Sequence, residues 1–154
     1  MAIETMILST ISHPHIITLR AIGSKEDMLN PNFFFVIDRL TDTLDTRILK
    51  WKATTKSANN RMNKLLRKDT SRQKLNELME TKLSYAYDLM GAIEYLHNTT
   101  NIVFRNLKPE NVGFNIRDDI VLFGFGLARE VHEKDRVSEH TWKLTGETVS
   151  IQLV

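Results

Sequence analysis

Between Thr81 and Phe123 the chain switches hydrophobic period, and that switch limits the folds open to it. Leu83, Ala86, Met90, Ile93 and His97 recur at helical spacing, which predicts a helix from Thr81 to His97, ended by the polar residues that follow. Three short runs come next, Ile102 to Phe104, Val112 to Ile116 and Ile120 to Phe123, and they read as strands. Arg117, Asp118 and Asp119 form the turn between the last two. Gly91 lies inside the helix at a cost of about 1 kcal/mol relative to alanine, so close packing is expected there.

The first half of the chain carries the same two periods. Ile3, Ile7, Leu8 and Ile11 predict a helix that stops at His13-Pro14, because the residue before a proline is pushed out of the helical region. His15 to Ile22 and Phe33 to Ile37 read as two antiparallel strands joined by a loop containing Asn30-Pro31. A short helix is predicted over Leu44 to Trp51. From Lys50 to Lys74 nine Lys and Arg residues face only Asp69, with no aromatic residue between Trp51 and Tyr85, a pattern that favours a solvated insertion over a phosphate-binding or docking patch.

Composition excludes several classes. A chain of 154 residues, 42% apolar and 26% charged, has the size and make-up of one globular domain. A formal net charge of +2 gives no argument for nucleic-acid or membrane binding. No window approaches the roughly 18 apolar residues of a membrane helix, and the N-terminus has no basic leader. With no cysteine, disulfides and thiolate metal sites are excluded, which matches an intracellular, cytoplasmic protein.

The run Phe104-Arg105-Asn106-Leu107-Lys108-Pro109-Glu110-Asn111, followed by Phe123-Gly124-Phe125-Gly126, resembles the catalytic and metal-binding loops of the eukaryotic protein kinases. The resemblance covers almost the whole chain, with the motifs in the family's order and on matching elements. It implies an α+β fold, an incomplete bilobal kinase-like domain: an N-lobe remnant at residues 1–37, a hinge at 38–44, and part of the C-lobe at 45–154 with a basic insertion at about 50–76. Glu4 falls where the family has its ion-pairing glutamate. Ile37 takes the gatekeeper position, and the Asp38 and Leu40 main chain takes the adenine edge. Leu8, Leu19, Phe104 and Phe125 match the regulatory spine. Lys108 is the Ser/Thr-kinase version of the loop. Thr141, Thr145 and Thr148 are candidate phosphoacceptors for Arg105 in the activation segment.

The departures from the pattern concern the chemistry. The family has aspartate where this chain has Asn106 and Gly124: the first accepts the substrate hydroxyl's proton, the second is the main Mg²⁺ carboxylate. Asn106 is neutral and cannot take a proton, a loss commonly costing about 10²- to 10⁴-fold in rate. Gly124 offers no side chain, leaving neutral Asn111 as the remaining family metal position. Gly113 replaces a larger apolar residue expected against the adenine ring. The family's glycine-rich loop, its N-lobe lysine and its later C-lobe helices are not found, and Ile151 to Val154 leaves the pattern.

The resemblance therefore implies ATP and Mg as cofactors, with binding expected to be weak or absent. Three readings follow. One is a pseudokinase-type interaction module whose partner is a protein such as an intact kinase. Another is a non-functional truncated kinase gene product, and the least favoured is an active Ser/Thr protein kinase.

Overall fold

A computed structural model describes residues 2–23, 33–58, 68–132, 136–138, 141–143 and 150–152. The architecture is α+β, as expected. Helix α1 (Ala2–Thr10) is followed by strands β1 (Leu19–Ile22) and β2 (Phe35–Ile37), which pair antiparallel with a bulge between Leu19 and Ala21. Strand β3 (Asp42–Thr43) leads into α2 (Leu44–Ala58), and α3 (Lys68–Glu94) runs into a π-helical turn at Tyr95–Thr99. Strands β4 (Ile102–Val103), β5 (Val112–Phe114), β6 (Ile120–Leu122) and β7 (Arg129–Glu130) follow, and β3-β5-β6 make one antiparallel sheet while β4 pairs with β7. Beyond them β8 (Arg136–Ser138), β9 (Thr141–Lys143) and β10 (Ser150–Gln152) form a fourth antiparallel set.

Helix α1 ends at Thr10, three residues short of the His13-Pro14 stop and without Ile11, and the Ser9 and Thr10 hydroxyls donate back to the Met6 and Ile7 carbonyls in its last turn. Its inner face is Thr5, Ile7 and Leu8; Ile3 is 55% exposed, contrary to its predicted place on the apolar face. The strand expected from His15 begins only at Leu19, because Ile16 and Ile17 are drawn to β6 instead. Ile16 makes a parallel bridge to Leu122, and the Ile17 and Leu122 amides donate to Leu122 and His15 carbonyls at 2.9 Å.

The two helices flanking the basic block are longer than predicted. Helix α2 continues seven residues past Trp51 to Ala58, and α3 starts at Lys68 rather than Thr81. Lys, Arg and Gln are good helix formers, so both helices run on through polar sequence, and in α3 Leu75 and Leu78 keep a partly buried side in line with Tyr85 and Leu89. The insertion is thus helical at both edges while its side chains from Lys50 to Ser57 stay largely solvated, Trp51 and Thr55 excepted. Gly91 corrects another expectation: a Cβ built there meets nothing within 4 Å, so close packing does not explain it.

One buried cluster holds these pieces together. Leu8, Ile16 and Ile17 from the first segment pack with Ala92 and Leu96 of the helical side and with Phe104, Val112, Phe114, Leu122, Phe125 and Ala128 of the strand region. Burying aromatic and branched side chains of this size stabilises by about 1.5–3 kcal/mol each. The core lies directly under the two loops that carry the motif residues.

Candidate active site

The loop from Phe104 to Asn111 is fixed from below. Phe104 and Phe125 meet edge to face with centroids 4.9 Å apart, both essentially buried. Leu8 is buried in the same cluster and Leu19 packs against it, so the four residues matched to the spine all join one core. Arg105 adopts φ 61°, and its Nε donates to the Leu127 carbonyl at 2.7 Å, tying the first loop to the second.

Glu4 reaches the same place from α1. Its Oε1 accepts the Phe125 backbone N–H at 2.9 Å, across 121 residues of sequence. A charge-assisted bond to a main-chain amide is among the stronger single contacts available. The glutamate therefore has a partner without any lysine, and the partner is the metal-loop backbone itself.

At the crest, Asn111 occupies the centre. Its Nδ2 donates to the Asn106 carbonyl at 2.8 Å, its backbone N–H to Lys108 at 2.9 Å, and its own carbonyl accepts Phe123 N–H at 3.0 Å. Pro109 to Asn111 is a turn of 3₁₀ helix, with Lys108 exposed beside it. Gly124 has φ 82° and ψ 51°, the left-handed region, and a Cβ built on it would lie 2.9 Å from Asn111 Oδ1 and 3.1 Å from Cγ. Asn106, Asn111 and Gly124 are thus brought together, with the amide oxygen of Asn111 against the bare backbone of Gly124.

These residues do not fit a magnesium ion. Mg²⁺ is held by carboxylates together with phosphates and water in near-octahedral geometry. The crest supplies only the neutral amide oxygens of Asn106 and Asn111, and no cluster of three or more His, Asp or Glu able to hold a metal exists among the described residues.

The candidate purine edge lies on the other side of Gly113. Ile37 pairs with Leu19, and Asp38 is gripped by Arg20 through Nε at 2.5 Å and Nη2 at 2.9 Å, which holds its carboxyl below the ordinary carboxylate range. Asp38 N–H donates to Thr18 at 3.2 Å and Thr41 N–H to Phe114 at 2.8 Å, pinning the chain on both sides of Leu40. A Cβ on Gly113 would come within 2.8 Å of Leu40 Cδ1 and 3.2 Å of Phe123 Cε1. Leu40 occupies the space that a larger residue at 113 would fill.

A polar cluster absent from the sequence reading ties this edge to the helices. Arg47 bonds Asp118, donates to Tyr85 Oη at 3.3 Å and to Asp42 Oδ2 at 3.3 Å, and lies 3.8 Å from the Phe114 ring centroid. Tyr85 Oη donates to Asp118 Oδ2 at 2.6 Å, and Lys50 to Asp42 at 2.6 Å. The Lys50 ammonium, and to a lesser degree Arg47, hold the Asp42 carboxyl below the ordinary range; Arg47 does the same for Asp118. Asp118 and Asp119 are turn residues as expected, with Asp118 at φ 70° and Asn115 Oδ1 accepting the amides of Arg117 and Asp119. No local pattern marks Arg47 as their partner, since Asp118 lies 71 residues away. Of the candidate phosphoacceptors, Thr145 and Thr148 lie outside the described residues and Thr141 is placed only as backbone in β9.

Comparison with known proteins agrees with this geometry. The family model described as "Protein kinase domain" matches residues 1–147. The mitogen-activated protein kinase homolog MMK2 of Medicago sativa is 25% identical over 137 residues, 89% of this chain and 31% of that protein. Mitogen-activated protein kinase 4 of Arabidopsis thaliana is 27% identical over 137 residues, 89% of this chain and 30% of that protein. The human serine/threonine-protein kinase Sgk2 is 44% identical over 55 residues, 35% of this chain and 15% of that protein. The chain thus spans about a third or less of the length of these relatives. With a family model matched over nearly its whole length and Ser/Thr kinases among its relatives, the chain belongs to the protein kinase domain family.

Proposed function

We propose that this chain is a pseudokinase-type module, which transfers no phosphate and acts by binding another protein. The observation that carries the reading is the crest of the site, where Asn111 Oδ1 faces Gly124 and Asn106 stands in place of a base. Phosphoryl transfer relies on positioning and electrostatic stabilisation rather than on covalent chemistry by the protein. A site with no carboxylate at positions 106 and 124 has neither a group to take the hydroxyl proton nor one to fix a metal. Asn106 can orient a hydroxyl through its amide and nothing more.

What the chain retains is the frame. Glu4, Arg105, Phe104 and Phe125 hold the two loops in place, so the surfaces those loops present are defined even though their chemistry is lost. Weak nucleotide binding follows from the same region: Asp38 and Leu40 offer main-chain groups to a purine edge, while Gly113 offers no side chain to support a ring and Leu40 and Phe123 close the space beside it. Magnesium adds nothing to such binding.

Calorimetric titration with ATP in magnesium and again in EDTA tests this. The two isotherms should coincide, both weak or flat. Tight binding that disappears in EDTA would overturn the reading.

A further inference from the structure

The groove between α2 and α3 is lined by Ile48, Trp51, Lys52, Thr55, Lys56 and Lys82 and has a volume of about 550 Å³. Its floor is rigid. Trp51 stacks on Tyr85 at 6.3 Å and 18°, and Tyr85 is itself edge-on to Phe114 at 5.0 Å and hydrogen-bonded to Asp118. Its rim is cationic: Lys52 and Lys56 stand one turn apart on α2, and Lys82 projects from α3 with its ammonium 5.2 Å from the Trp51 ring.

These three lysines differ from Lys50, which Asp42 neutralises at 2.6 Å. Among the described residues no carboxylate lies within 4.0 Å of Lys52, Lys56 or Lys82. Three cations from two helices around one apolar floor ask for a ligand that is anionic outside and apolar at its centre.

We propose that this groove docks an acidic peptide segment carrying one large apolar side chain, the side chain entering over Ile48 and Trp51 and the flanking carboxylates meeting Lys52, Lys56 and Lys82. Nucleic acid suits it less well. A strand of phosphates is tracked by a run of cations with several stacking platforms, and here a single aromatic ring is present with one face already covered by Tyr85. The proposal gives the interaction reading above a partner chemistry and rests on that reading. The two fail separately, because peptide binding and phosphate transfer are scored in different assays.

The test uses the full chain with Trp142→Phe, so that Trp51 is the single tryptophan, and a fluorescein-labelled ten-residue peptide of Asp and Glu with one central Phe. The expected result is saturable binding that changes Trp51 emission. The double variant Lys52→Glu/Lys56→Glu should weaken binding about tenfold, and replacing the peptide's Phe by Ser should do the same. Both lysines are exposed, and a charge-reversed peptide of Lys with the same central Phe should bind the double variant better than the parent chain, which separates lost docking from lost folding. Absence of binding by the folded chain, affinity indifferent to the Phe or to the charge reversal, or a thymidine oligonucleotide that outcompetes the peptide would each overturn the proposal.

Discussion

Phe104 and Phe125 are 2% and 0% exposed and touch edge to face, whereas Asn106 and Gly124, two residues and one residue away, carry no charge at positions where the family carries two. The lower layer answers to volume and fit, since any change there leaves a cavity or a clash. The upper positions contribute chemistry and little packing. Asparagine has nearly the size of aspartate, and glycine removes atoms from a place already at positive φ, so neither exchange disturbs the layer beneath. On the proposed reading, the frame stands without the reaction that such a frame positions in the family.

The comparison breaks first if the lower layer is not the seat of stability. Phe125→Ala should cost about 3–5 kcal/mol, measured by urea unfolding followed by far-UV circular dichroism. A loss below about 1 kcal/mol would mean that the two layers are not distinct. A chain that shows no cooperative transition at all would instead support the decayed-product reading.

The upper layer is probed by putting the acids back. Gly124→Asp should destabilise by about 1–3 kcal/mol, because a side chain at φ 82° is strained and its Cβ meets Asn111 at 2.9 Å. Asn106→Asp with Gly124→Asp should restore no phosphate transfer, since Leu40 still crowds the Gly113 side. Turnover regained by the double variant would place the whole defect in the two side chains and sharpen the comparison to them.

Acid stability reports the connection between hinge and helices. Asp42 titrates below its ordinary value of 3.8 in the folded chain, chiefly through Lys50. The unfolded chain binds the proton more readily, so this contribution is complete above about pH 4 and is lost as pH falls through the folded value. Asp42→Asn should lower stability at pH 7 by about 1–2 kcal/mol and flatten the acid limb of a stability-versus-pH curve. An unchanged acid limb would remove Asp42 from the account.

Gly91→Ala has the smallest expected effect and the opposite sign. With nothing within 4 Å of the added methyl, helix propensity alone should stabilise by about 0.4–1 kcal/mol, read as a rise in Tm. A destabilised variant would show that the groove beside His13 and His97 closes on Gly91 in solution.

The order and type of the elements were legible from local pattern, but the face of α3 was not: Leu83, Ala86 and Met90, read as its apolar side, are exposed, and Tyr85, Leu89, Ala92 and Leu96 face the core instead. Proline at 14 bounded α1, which ends three residues before His13, and the β-branched runs set β5 and β6 to within two residues. The predicted start of α3 at Thr81 falls short, because Leu75 and Leu78, partly buried in line with Tyr85 and Leu89, are set among polar residues that mask the period. At the site, the identities of Asn106, Asn111 and Gly124 were readable, and their mutual contact was implied only by the family resemblance. The bonds from Glu4 to Phe125 and from Arg47 to Asp118 join residues 121 and 71 positions apart, and nothing local announces either.

The central claim is the loss of phosphate transfer on an intact frame, and incubation of the purified chain with γ-labelled ATP, magnesium and a basic protein substrate tests it most directly. The account predicts label in the protein fraction no higher than with heat-killed chain, from a sample that still unfolds cooperatively. Label above that control, abolished by Asn106→Ala, would contradict it.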